Sequence, residues 1–173
     1  NNGQWQNDGN LYVGHYGTGT LYIKDRAVVG SVDGSIGNAV GSSGSRAELT
    51  GSAQWNNSGN FYVGRYGDGS LSIADNAVVE NVNGYIGVDT ATAGVVTVSG
   101  SGTWDNSGSL HVGNAGSGRL TITDTATVKA RDIRVGFGPA SSGVLETNGG
   151  TLEAANVRKG NGTGTFSITG GTL

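Results

Sequence analysis

Trp5-Gln6-Asn7-Asp8-Gly9-Asn10-Leu11-Tyr12-Val13-Gly14-His15-Tyr16-Gly17-Thr18-Gly19-Thr20-Leu21-Tyr22-Ile23-Lys24-Asp25-Arg26-Ala27-Val28-Val29 occurs three times in the chain with small changes, starting at Trp5, Trp55 and Trp104, 50 and then 49 residues apart. Self-similarity at a fixed long period is the signature of a repeat architecture. Each long period also divides in two. A hydrophobic-Gly step recurs at Val13-Gly14, Ile36-Gly37, Val63-Gly64, Ile86-Gly87, Val112-Gly113 and Val135-Gly136, alternating between a shorter and a slightly longer interval. A poorer seventh copy follows at Val157, where Gly162-Thr163-Gly164-Thr165-Phe166-Ser167-Ile168 repeats Gly17-Thr18-Gly19-Thr20-Leu21-Tyr22-Ile23. The structural unit is therefore half the long period, about 24 residues.

Within a unit, Leu11-x-Val13, Leu21-x-Ile23 and Ala27-x-Val29 alternate apolar with small or polar residues. That period of two marks half-buried strands. Three short strands fit in each unit, separated by Gly-x-Gly and Asp-x-Ala segments that supply positive φ and local hydrogen bonds for turns. One such coil cannot pair its own backbone groups, so it must stack on the next at the ~4.8 Å spacing of neighbouring strands. Stacking predicts two interior ladders: Val13, Ile36, Val63, Ile86, Val112 and Val135; and Leu21, Ala47, Leu71, Val96, Leu120, Leu145 and Phe166. The predicted fold is all-β, a right-handed single-stranded parallel β-helix of about seven coils, roughly 30 Å long at ~4.8 Å per step. An up-and-down antiparallel barrel would not repeat in phase from one unit to the next.

Composition agrees. Thirty-four of 173 residues are glycine, one is proline and none is cysteine or methionine. Collagen is excluded because the glycines follow no three-residue period, and disorder is opposed by the regular return of Val, Ile, Leu and Trp. Charged residues make up 13% and the net charge is −3, so no nucleic-acid partner is expected. Asn1-Asn2-Gly3-Gln4-Trp5 lacks the charged and apolar regions of a signal peptide, and no apolar run is long enough to span a bilayer.

The pattern Val-Gly-x-x-Gly-x-Gly-x-Leu-x-Ile-x-Asp-x-Ala-x-Val, at Val13 to Val29, Val63 to Val79 and Val112 to Val128, resembles the passenger domains of bacterial type V secretion autotransporters. The resemblance covers essentially the whole chain and specifies architecture better than activity. It implies export across the outer membrane of a Gram-negative bacterium with the help of a C-terminal outer-membrane β-barrel of the same parent chain. It further implies display at the cell surface or secretion, and a role in adhesion, self-association or host-receptor binding as a virulence factor. On this reading residues 1–173 are a single β-helix segment, truncated at both ends from a larger passenger. The partner is then a host-cell surface protein receptor or glycan, or another copy of the chain. A purely structural stalk and a polysaccharide-active β-helix enzyme are the alternatives.

Several residues invite a chemical reading. Trp5, Trp55 and Trp104 would suit sugar stacking, but they take the phase of Val29, Val79 and Val128, which predicts core packing under a loop. Asp25, Asp75 and Asp124 recur only every second coil, about 9.6 Å apart at ~4.8 Å per step, too far to share one cation. They read as acceptors of turn N–H groups, and neither a metal nor another cofactor is expected. The two histidines, His15 and His111, sit in different phases, and Asp33, Glu80, Asp89, Asp132 and Glu146 form no repeated carboxylate pair of the kind glycoside hydrolysis needs. No catalytic residue is assigned and no enzyme is expected.

Two groups of residues are the binding candidates. Tyr12, Tyr62 and His111 share one outward register, and Tyr16, Tyr66 and Ala115 another, with Tyr22 and Tyr85 adding to the aromatic count. Exposed Tyr clusters suit recognition of protein or sugar, or they form a cross-strand ladder that only stabilises. Charge is also uneven: residues 1–114 carry net −5 and residues 115–173 net +2. Lys129, Arg131, Arg134, Arg158 and Lys159 lie within two coils, a candidate site for sulfated glycans or acidic lipid head groups, or a solvated basic face.

Overall fold

The computed structural model describes residues 2–172. Among these residues there is no helix; strands pair in parallel with the strand one coil away, giving a β-solenoid of about seven turns. Each coil visits three faces in order. The first face carries Gln4–Gln6, Val28–Ser31, Gln54–Asn57, Val78–Asn81 and Thr103–Asn106. The second carries Leu11–Val13, Gly34–Ile36, Phe61–Val63, Gly84–Ile86 and Ser109–Val112, and the third Thr20–Ile23, Ser45–Leu49, Gly69–Ile73, Ala93–Val98 and Thr163–Ile168. From the third face of the fifth coil to the second face of the seventh the short strands fuse. Ser117–Val135 and Ser142–Lys159 pair along almost their whole length, with one irregularity between Asp124 and Thr127, and so bend around the corners as continuous strands.

Both predicted ladders are present rung by rung. Val13 pairs with Ile36, Ile36 with Val63, Val63 with Ile86, Ile86 with Val112 and Val112 with Val135. On the third face Leu21, Ala47, Leu71, Val96, Leu120, Leu145 and Phe166 follow one another in the same way. The inner rungs are buried and the last, Phe166, is exposed. The corner after each second-face strand needs glycine. Gly113 has φ +75°, and a Cβ there would lie 2.2 Å from the carbonyl oxygen of Ser142 in the next coil.

The doubling of the repeat, from Trp to Trp over two coils, has a packing cause. On the first face the interior column runs Trp5, Val29, Trp55, Val79, Trp104, Val128, Leu152. On the second it runs Leu11, Gly34, Phe61, Gly84, Leu110, Ile133. Bulky coils thus alternate with slim ones, and the rings of the former lean into the space the latter leave. A Cβ on Gly34 would meet the Phe61 ring at 2.6 Å, and one on Gly84 would meet Trp104 Cζ2 at 2.9 Å. Trp55 stands edge-on to Phe61 with centroids 4.8 Å apart. Trp55 Nε1 donates to Ser31 Oγ and Trp104 Nε1 to Asn81 Oδ1, each partner being in the preceding, slim coil. Trp55 and Trp104 are fully buried, as their phase predicts, while Trp5 on the first rung is 49% exposed.

Candidate functional site

The outward side of the second face carries one continuous column: Tyr12, Ser35, Tyr62, Tyr85, His111, Arg134 and Arg158. Tyr85 stands in the rung between Tyr62 and His111, and the basic pair continues the aromatic series instead of forming a separate site. Stacking of equivalent residues leaves ring faces turned along the solenoid axis. Tyr62 and Tyr85 lie parallel, 11° apart, with centroids at 5.2 Å; Tyr85 meets His111 edge-on at 5.2 Å; and His111 stacks on Phe137 at 4.4 Å. The Arg65 guanidinium covers Tyr62 at 4.4 Å. This group therefore spends its faces on itself, a cross-strand ladder in the energetic sense, and offers hydroxyl and ring edges outward.

The N-terminal aromatic group is separate from it. Tyr12 stacks on His15 at 5.2 Å, and His15 meets Tyr16 edge-on at 4.2 Å. Ser35 lies between Tyr12 and Tyr62, fully buried, and its Oγ has no hydrogen-bond partner among the described residues. Tyr16, at 81% exposure, and Tyr66, at 48%, are the most open of the tyrosine rings. Arg65 sits over Tyr66 at 5.5 Å and reaches Asn38 Oδ1, while the Asn38 amide donates to His15 Nδ1 at 2.8 Å. The two aromatic groups are thus joined by polar contacts.

The basic residues divide among faces. Lys129 points out from the first face and pairs with Glu153 at 3.2 Å. Arg131 is exposed at the corner between the first and second faces. Arg134, Arg158 and Lys159 come together on the second face around Phe137, with Arg158 held by Asp132 at 2.9 Å. Lys159 occupies the seventh rung of the Val13-to-Val135 ladder, but turns its ammonium outward to the carbonyl oxygen of Gly160.

Asp75 and Asp124 accept turn N–H groups as expected. Asp25, Asp75 and Asp124 have φ of 64°, 60° and 59°. Asp75 Oδ2 accepts from the N–H of Gly51, and Asp124 Oδ2 from that of Gly100, both at 2.9 Å and both one coil back. An interior polar ladder that the sequence reading passed over lies beside the tryptophans. Ser31 Oγ donates to Asn57, the Asn57 amide to the Glu80 carbonyl, the Asn81 amide to Asn106 Oδ1 and the Asn106 amide to the Lys129 carbonyl. Its signal was the Asn that follows two places after each Trp, at Asn7, Asn57 and Asn106.

Comparison of the chain with protein-family models, curated proteins and solved structures finds no match. The site therefore rests on its own chemistry.

Burial, with Arg134 adding to it, lowers the pKa of His111, and the hydrogen bond with Asn114 opposes the shift in part. The Gly100 N–H holds Asp124 below the usual carboxylate range, and the Arg158 hydrogen bond does the same for Asp132. All three folded-state values are depressed, so each contribution to stability is present above the group's unfolded pKa and lost as pH falls through the folded one. The melting temperature should drop in two steps on acidification: the first below the ordinary histidine range, the second below the ordinary carboxylate range. His111→Gln should remove the upper step and Asp124→Asn should reduce the lower one in a thermal melt series against pH.

Proposed function

We propose that this chain is a stretch of an extracellular, surface-displayed or secreted passenger of the type V autotransporter kind from a Gram-negative bacterium. In this reading it mediates adhesion, self-association or host-receptor binding through its second-face flank, with the barrel of the parent chain as its export partner. The β-solenoid supports the passenger reading as far as architecture goes, and the sequence resemblance supplies the rest. The observation that carries the binding reading is the pair Tyr16 and Tyr66, large exposed rings presented two coils apart, the second of them beside Arg65. A solenoid repeats modest contacts at fixed spacing, and several such contacts engaged together gain avidity that one does not have.

Changing Tyr12, Tyr16, Tyr62 and Tyr66 together to Ser should keep the strand-rich circular dichroism spectrum. It should lower attachment of chain-coated beads to host cells, or to one another, by about tenfold or more through loss of avidity. Exchanging Asp25 and Asp75 for Asn should leave attachment unchanged. The self-stacked Tyr62-to-Phe137 ladder favours the second reading, a stiff stalk. Attachment at full strength by the folded tyrosine variant would establish that reading instead.

A further inference from the structure

Between the sixth and seventh coils the second-face flank closes on a hollow of about 190 Å³ lined by Arg134, Phe137, Arg158, Lys159, Gly160 and Asn161. Three cations line it, Arg134, Arg158 and Lys159. The Arg134 guanidinium lies 5.3 Å from the Phe137 ring centroid and makes no ion pair among the described residues. Among the described residues the Lys159 ammonium hydrogen-bonds only to a neutral carbonyl, that of Gly160. Arg158 is anchored by Asp132, which leaves the rest of its fork of donors available. Three cations and the one neighbouring carboxylate leave a local charge of +2 on a chain whose net charge is −3. Nearby, Arg119 is matched by Glu146 and Lys129 by Glu153, while Arg131, exposed at the corner before the second face, has no ion pair among the described residues.

We propose that this hollow is an oxyanion subsite that takes the sulfate ester of a sulfated polysaccharide. The proposal deepens the adhesive reading and rests on it for the extracellular setting. A group with three terminal oxygens accepts from several donors at once, and Asn161 also lines the hollow. Charge-assisted hydrogen bonds from guanidinium and ammonium groups supply the strength. The phenolic edges of Tyr62 and Tyr85 and the His111 ring lead away from the hollow up the same column, so a polymer seated there meets hydroxyl-pairing groups in successive coils. An acidic bilayer fits less well, because lipid-surface recognition draws on four to eight clustered cations, about twice the number here.

The test uses the whole 173-residue chain against immobilised dextran sulfate at physiological salt, with dextran, polygalacturonate and anionic phosphatidylserine vesicles as the other probes. Wild type should bind dextran sulfate more tightly than any of the three. Arg134→Gln combined with Lys159→Gln should weaken this binding by about tenfold or more, since two charge-assisted donors are lost. Arg119→Gln combined with Lys129→Gln removes the same charge and should change it less than about twofold, as expected for exposed, already paired cations. Unchanged melting temperatures confirm that both variants fold. The subsite is refuted if wild type does not bind, if the first pair binds as wild type does, or if the second pair weakens binding equally. Polygalacturonate bound as tightly overturns the sulfate assignment, and vesicles bound as tightly overturn the polysaccharide. Beads that lose attachment only in the tyrosine variant, with dextran sulfate binding kept, separate a failure here from a failure of the adhesive reading.

Discussion

Val112→Asp should destabilise the protein by about 4 kcal/mol or more, the range reached when a charge is buried without a partner. Val112 is fully buried on the second face of the fifth coil, paired with Ile86 on one side and Val135 on the other. No basic side chain shares that ladder until Lys159, two rungs on, whose ammonium faces outward. The carboxylate must therefore either take up a proton or force its coil open. Because coils touch mainly their neighbours, the damage separates the four coils before it from the two after it. Urea denaturation should show a lower midpoint and a transition that is broadened or split. Val112→Thr, which adds only a hydroxyl, should cost about 1–3 kcal/mol. A wild-type midpoint for the Asp variant would be incompatible with an interior ladder.

Trp104→Ala should cost about 3–5 kcal/mol, the range for truncating a buried aromatic ring to a methyl group. Three losses combine at this site. The indole fills the space over Gly84, stands edge-on to Phe61 at 6.5 Å, and donates from Nε1 to Asn81 Oδ1 at 2.7 Å. Without the indole the buried Asn81 oxygen loses its donor, while its amide still binds Asn106. Trp104→Phe keeps most of the volume and should cost less, mainly the unmet hydrogen bond at about 1–3 kcal/mol. Trp5→Ala should cost less than Trp104→Ala, since Trp5 is half-exposed on the first rung. Equal losses at Trp5 and Trp104 in thermal melts would contradict the alternation of bulky and slim coils.

The coil length and both predicted ladders were legible because a parallel stack repeats one environment in every coil, and the Val-Gly step marks the phase each time. Tyr85 escaped because the Trp-to-Trp alignment matches it with Ser35, not with Tyr62. The shorter phase, which sets Gly84-Tyr85-Ile86 beside Phe61-Tyr62-Val63, places it correctly. Lys129 and Arg134 are close neighbours in sequence, yet a corner intervenes and turns them onto different faces. The asparagine ladder reads as a turn signal in one dimension. It is tolerated inside because each amide finds its partner one coil away, a pairing that exists only once the coils are stacked. Ring orientation was not legible at all, since the pattern of residue types does not say whether an outward Tyr shows its face or its edge.

The alternation of bulky and slim coils also limits how a chain of this design changes its length. Removing one coil from the middle would set two slim neighbours together, with Gly34 facing Gly84 and no ring to fill the gap, and adding one would crowd tryptophan against tryptophan. Removing or adding two leaves every neighbour as it was. Length is therefore quantised in steps of about 50 residues, close to ~10 Å at ~4.8 Å per coil. Duplication of a Trp-to-Trp segment extends the rod without a seam, and unequal exchange between such segments shortens it without a scar.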